Sequence, residues 1–309
     1  MGKIDTFKRL WAENKWGIAG VFFDRFVPVS LTKKLNSETY LKMRFLMRTG
    51  KHLDLDNPKT FNEKLQWLKL YYHKPVFSCM VDKYGTKQFV SERIGEDKII
   101  PTLGVYQSFD EINFDELPDQ FVLKCTHDSG GLVICRDKAK LDKKAARTRI
   151  EKSLKVNYFW YSREWPYKNV TPRIIAEKYM EDAGKATLPV YKIFCFGGEP
   201  ALIQSIQNDK TEKETIDYFD TDWNLLDLRQ NYPNSANPLP RPQGLEEMLD
   251  YAHTLSAGHP FLRTDFYSIN GKIYFSEFTF YSDGGMAVFY PNTWDLELGK
   301  KIVLPDKSI

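Results

Sequence analysis

Cysteine is scarce in this chain of 309 residues: Cys79, Cys125, Cys135 and Cys195 are the only four, with no close pairing pattern among them. Three sit inside apolar runs, which reads as small buried hydrophobes of a reducing compartment. Histidine is equally sparse, and its five copies include no pair at metal-ligand spacing, which argues against zinc. No apolar run approaches the roughly 20 residues that a membrane-crossing helix needs, and no secretory leader pattern opens the chain. The expected location is the cytoplasm. Neither charge sign dominates: 44 Lys and Arg against 41 Asp and Glu leave +3, so composition lends no support to a nucleic-acid partner. Internal repeats and low-complexity tracts are absent. What is plentiful is core material, with 42% hydrophobic and 15% aromatic residues, enough for a two-lobed domain or two modest ones.

Two segments far apart carry the chemistry. In the first, the apolar runs Phe121–Cys125 and Leu132–Cys135 flank a small polar loop, Thr126-His127-Asp128-Ser129-Gly130-Gly131. The pattern predicts a hairpin with Lys124 held on its first strand. A Gly-rich loop beside a fixed cation suits phosphate, because backbone N–H groups can approach oxygens where no Cβ intervenes. A tight hairpin with a purely structural role is the competing reading. In the second, Arg263, Asp265, Glu277 and Thr279 lie on two alternating runs joined at Asn270-Gly271, a strong hairpin signal. Symmetric pairing about that turn sets Asp265 opposite Ser276, so Asp265 and Glu277 converge only if a bulge shifts the register. Two converging carboxylates repel unless a cation lies between them, and Mg²⁺ takes one or two carboxylates plus phosphate oxygens. Ordinary surface acids on a solvated hairpin are the alternative.

Together these segments resemble the ATP-grasp superfamily. The resemblance extends in order through Val81-Asp82-Lys83, Ile99-Ile100-Pro101, the strand Ile174-Ile175-Ala176-Glu177-Lys178-Tyr179-Met180 and the segment Tyr191-Lys192 to Glu199. It implies an α+β fold in which two α+β lobes clasp ATP, behind an N-terminal helical extension. It assigns Lys83 and Lys124 to the α/β-phosphates, and His127, Ser129, Gly130 and Gly131 to the loop over the γ-phosphate. Glu177, Lys178 and Met180 fall to adenine, Asp265, Glu277 and Thr279 to Mg²⁺, Arg263 to the oxyanion and Lys192 to the γ-phosphate. Thr279 stands where asparagine is usual, which leaves the number of magnesium ions open. Within the superfamily, Asn57-Pro58-Lys59-Thr60-Phe61-Asn62-Glu63-Lys64-Leu65-Gln66-Trp67-Leu68 is similar to the tell-tale segment of the TupA-like branch, named for teichuronopeptide biosynthesis.

The implied division is 1–80 for the extension, 81–180 for the small lobe and 181–309 for the large lobe. A serine-capped helix is predicted from Ser37, and a second over 60–72, where Thr60-x-x-Glu63 forms a capping box. Strands are expected at 191–196, 201–207, 215–219, 261–268 and 272–280, with helices near 141–157 and 244–257. The aromatic stretch 157–167 has no period; it either lines a sugar site or packs as a loop. Residues 1–35 form an amphipathic segment, for which packing on the body is favoured over peripheral contact with the inner membrane face.

The implied function is an ATP-dependent carboxylate–amine ligase working through an acyl phosphate. Its partners are ATP, a carboxylate-bearing sugar or glycan precursor of a bacterial surface polysaccharide such as capsule, and an amine such as an amino acid. Glycosyltransferase and ATP-dependent sugar kinase are the alternatives. The one formal Asp-x-Asp match of a glycosyltransferase, Asp220-Thr221-Asp222, reads better as a turn.

Overall fold

A computed structural model describes residues 20, 22, 23, 26–128, 130–182, 188–209 and 211–307. The expectations for Ser129 and for most of the 1–35 segment lie outside those residues. Two antiparallel sheets organise an α+β fold. The smaller sheet contains β1 (Thr102–Tyr106), β2 (Phe121–Cys125), β3 (Leu132–Cys135) and β4 (Ile174–Lys178), in the order β1-β4-β2-β3. β2 and β3 form the predicted hairpin, running from Phe121 opposite Cys135 to Lys124 opposite Leu132. Alternation along β2 buries Phe121, Leu123 and Cys125 completely and turns Lys124 to the other face.

The larger sheet contains β5 (Val190–Phe196), β6 (Glu199–Gln207), β7 (Thr215–Phe219), β8 (Phe261–Ile269) and β9 (Lys272–Thr279), in the order β7-β6-β5-β8-β9. The chain therefore crosses from one edge toward the other between β7 and β8. The helix Leu245–Ser256 makes that crossing, burying Leu245, Met248, Ala252 and Leu255 in the main core. At the β8–β9 turn, Asn270 and Gly271 both take positive φ, 50° and 76°, as a type I′ turn requires. Pairing is symmetric as far as Phe266 opposite Phe275, and the next pair is Asp265 opposite Glu277. The register shift that the two carboxylates needed is present, with Ser276 as the extra residue.

The helix Ser37–Thr49 is capped by Asn36 rather than Ser37: the Asn36 carboxamide accepts the Thr39 N–H at 2.8 Å. Asparagine and serine are comparable caps, so the sequence signal was displaced by one residue. The helix Phe61–Tyr71 has the predicted capping box, with Thr60 Oγ1 accepting the Glu63 N–H at 3.2 Å and Glu63 Oε2 accepting the Thr60 N–H at 2.9 Å. Phe61 packs edge-on against Phe261 at 5.0 Å and Phe289 at 6.0 Å, which anchors this helix to the core of the larger sheet. Its polar side reaches the loop after β9: Asn62 Nδ2 donates to Ala287 O at 2.8 Å, Gln66 Nε2 to Gly285 O at 2.7 Å and Lys69 Nζ to Gly284 O at 2.7 Å.

Two helices, Val76–Val81 and Gly85–Ile94, follow. The second opens two residues after Lys83, not at 81 as the sequence pattern reads, and Lys83 lies in the turn between them. The helix expected near 141–157 is shorter, Lys143–Leu154, and starts from an Asp142 cap. A separate core of Phe109, Phe121, Leu123, Ile150 and Ile174 fills the smaller sheet. Asp220-Thr221-Asp222 is indeed a turn, in which Asp220 Oδ1 accepts the N–H groups of Asp222 at 3.0 Å and Asn224 at 2.8 Å. Cys125, Cys135 and Cys195 are buried thiols, and Cys79 is exposed. In the amino-terminal segment Phe23 packs inward toward Tyr40, whereas Phe22 and Phe26 stay exposed. No helix among the described residues is long and apolar enough to cross a membrane.

Candidate active site

A single row of side chains crosses the larger sheet. Tyr218 on β7 pairs with Gln204 on β6, Gln204 with Lys192 on β5, Lys192 with Asp265 on β8, and Asp265 with Glu277 on β9. Cross-strand partners share a face, so Lys192, Asp265 and Glu277 project together. The next row on that face holds Arg263 opposite Thr279. Arg263 clasps Asp265 with both prongs, Nε to Oδ1 and Nη2 to Oδ2 at 2.8 Å each, and its Nη2 lies 3.8 Å from Glu277 Oε1. Lys192 Nζ stands 3.7 Å from Asp265 Oδ2, and Arg263 Nη1 donates to Ser282 Oγ at 3.2 Å.

Burial is the strongest influence on Asp265, Arg263 and Glu277. It raises Asp265, against the opposing pull of Arg263 and Lys192. It lowers Arg263, but Asp265 outweighs it and the guanidinium titrates above its ordinary value. A two-pronged contact at 2.8 Å is the geometry of an ionised pair, so the charged forms are the ones held. Burial also works to raise Glu277, yet Lys192, Arg263, Lys83 and Lys124 overcome it and hold the carboxyl below its ordinary range. Glu277 nevertheless keeps 47% of its side-chain surface open.

That list of cations joins the two halves of the chain. On the smaller sheet, Lys124 sits opposite Ile175, one strand period from Glu177 on β4, and Lys124 Nζ contacts Glu177 Oε2 at 2.6 Å. Lys87 takes the other oxygen, also at 2.6 Å. Burial alone would raise Glu177, but Lys124 and Lys87 reverse it and the carboxyl is held low. Burial likewise opposes the Lys124 charge, and Glu177 more than restores it. The carboxylate that the resemblance gives to adenine thus tethers two lysines here. Lys83 Nζ donates to Asp128 O, and burial lowers its pKa.

The remaining expected residues sit in the β2–β3 loop and at the end of β4. His127 is buried, its Nε2 bonded to Val156 O at 2.9 Å. A Cβ on Gly131 would meet Cys125 Sγ at 2.4 Å, so this glycine is required by packing as well as by any phosphate. At Gly130 the nearest atom would be 3.5 Å away. Lys178 is exposed with its N–H on Pro101 O at 3.0 Å, and half-buried Met180 follows the end of β4. Sequence reasoning missed Lys87, although it stands four residues after Lys83. Within the aromatic stretch 157–167, Tyr158 and Tyr167 have hydroxyls that feel both Glu164 and Glu277.

A model of the TupA-like ATP-grasp family matches residues 63–303. The chain belongs to that family. Its two antiparallel sheets and α+β architecture are what that family leads one to expect. Similar solved structures include the ATP complex of D-alanine–D-alanine ligase from Bacillus anthracis, at 17% identity and a TM-score of 0.38, covering 65% of this chain and 55% of that one. Phosphoribosylamine–glycine ligase from Thermotoga maritima is similar at 16% identity and TM-score 0.39, over 66% of this TupA-like chain and 48% of the other. L-amino acid ligase from Bacillus licheniformis is similar at 12% identity and TM-score 0.37, over 64% and 40%. The chain spans about half the length of these ligases. No curated protein matches it.

Proposed function

We propose that this TupA-like protein is a carboxylate–amine ligase that joins an amino acid or another amine to a uronic-acid unit of a surface-polysaccharide precursor. The observation that carries the reading is that Lys83 and Lys124 from the front half lie within electrostatic reach of Glu277 from the back half, adding to Lys192 and Arg263 in holding its carboxyl below the ordinary range. Residues 81–180 and 181–309 are the two lobes of that clasp, and 1–80 is the extension.

The substrate carboxylate attacks the γ-phosphorus of ATP, the bond to the β-phosphate oxygen breaks, and ADP leaves behind an acyl phosphate. The amine, as its free base, then adds to the acyl carbon; phosphate departs and a proton is lost from nitrogen. Negative charge grows on transferring oxygens in both steps, so catalysis is mainly positioning and charge stabilisation. Lys83 and Lys124 hold the α/β-phosphates, with Glu177 fixing Lys124. The 126–131 loop, including His127, Ser129, Gly130 and Gly131, covers the γ-phosphate, and Lys192 contacts it. Lys178 and Met180 offer backbone groups to adenine. Arg263, presented by its grip on Asp265, stabilises the oxyanion at the acyl carbon.

The donor set fits magnesium. Glu277 is open to the cleft, and each Asp265 oxygen engaged by Arg263 keeps a second lone pair. Asp265, Glu277 and Thr279 would hold the ion, which when bound neutralises phosphate charge. The reading puts the enzyme in the cytoplasm. Exposed Phe22 and Phe26 support a peripheral seat at the inner membrane face.

The test is incubation with Mg·ATP, pooled uronic acids and amino acids, followed by phosphate release and product mass. ADP with an amide mass gain is expected. A phosphate mass gain would instead make it a sugar kinase, and sugar transfer without ATP consumption a glycosyltransferase.

A further inference from the structure

Beside the β2–β3 hairpin lies a cavity of about 620 Å³. One wall is Asp128 and Gly130 of the hairpin; the facing wall comes from Phe23, Val27, Val29, Thr32, Tyr40 and Arg44. The helix Lys143–Leu154 supplies Arg149 and Lys152, three residues apart and so on one face, and Tyr158 and Tyr161 complete the lining. The cations predominate here. The single acid, Asp128, is already engaged, accepting from Ser153 Oγ and from the Gly131 N–H at 3.2 Å. Among the described residues, no hydrogen-bond or ion-pair partner takes up the charge of Arg149 or Lys152. The walls are fixed to each other, since Tyr40 Oη donates to Tyr161 O at 2.8 Å and buried Arg163 donates to Thr32 O at 2.7 Å.

We infer that this cavity receives the acid substrate, an anionic sugar larger than one residue. This rests on the ligase reading above. Three features lead to it. The cavity abuts the loop that would cover the γ-phosphate, where an acid must present its carboxylate to be phosphorylated. Tyr158, which lines the cavity, lies within electrostatic reach of Glu277 in the acidic pair, so the cavity is near that pair. A volume of 620 Å³ at one water volume per non-hydrogen atom holds roughly twenty such atoms, too many for an amino acid and suited to a uronic acid still linked to the next sugar. Cations recognise the carboxylates, and tyrosine faces cover the apolar sides of the rings.

The test uses the full chain with Mg²⁺ and a non-hydrolysable ATP analogue, titrated calorimetrically with digalacturonate and with its neutral counterpart, digalactose. The charged disaccharide is expected to bind at least about tenfold more tightly, and Arg149→Ala/Lys152→Ala to erase that preference while nucleotide affinity stays within about twofold. Both sites are exposed helix positions where alanine is well tolerated, so the variant should fold. Equal affinity for the two disaccharides, binding of neither, tighter binding of inorganic pyrophosphate, or a preference that survives the double substitution would each overturn the inference. Those outcomes leave the amide-forming assay untouched, and a failure to form amide leaves this binding result standing.

Discussion

Single side chains here are set by what surrounds them more than by their type. Glu177 lies on an inner strand of its sheet and Glu277 on the edge strand of the other; one is saturated by two lysines at 2.6 Å and the other keeps about half of its side-chain surface open. On the proposed reading, the first orders the phosphate-binding lysines and the second is left to meet a ligand. His259 shows the same dependence without any part in catalysis. Packed against Phe77 and Phe280, it is lowered by burial, with Lys74 adding to the effect, to a pKa of about 4. The unfolded chain therefore takes up a proton between its ordinary pKa of about 6.5 and pH 4 while the folded chain does not, and stability falls as pH drops through that window. The loss is at most about 1.4 kcal/mol per pH unit from this group. Urea unfolding of wild type and His259→Leu at pH 7, 6 and 5 should show the acid slope reduced in the variant; parallel profiles would refute the assignment.

Elements were legible where local patterns decided them. The β8–β9 hairpin followed from Asn270-Gly271, and the Phe61–Tyr71 helix from Thr60 and Glu63, because turn and cap chemistry act within four residues. Thr60→Ala is expected to cost about 1 kcal/mol in chemical unfolding, through loss of the capping box. An unchanged midpoint would mean that packing of Phe61 alone fixes the helix. The slip at Ser276 was legible only as a condition, since nothing in the local pattern states which strand carries an extra residue. Neither the Val76–Val81 helix nor Lys87 could be read at all. That helix is six residues long and lacks a side-chain cap, and Lys87 matters only because folding brings it to Glu177.

At the scale of the molecule, two cores support two sheets, and electrostatic reach links Lys83 and Lys124 to Glu277 of the larger sheet. The division of charges between front and back halves was readable from the sequence, because each half carried its own motif. The cavity wall that includes Phe23, Tyr40 and Arg44 was not, since it depends on Tyr40 and Arg163 tying distant segments together. The central claim is that Lys124 from the smaller sheet and Glu277 from the larger act on one bound Mg·ATP. A double-mutant cycle measures it most directly, with Mg·ATP affinity determined for wild type, Lys124→Ala, Glu277→Ala and the double variant. The account expects a coupling on the order of 1–3 kcal/mol; effects that add to within about 0.5 kcal/mol would contradict it.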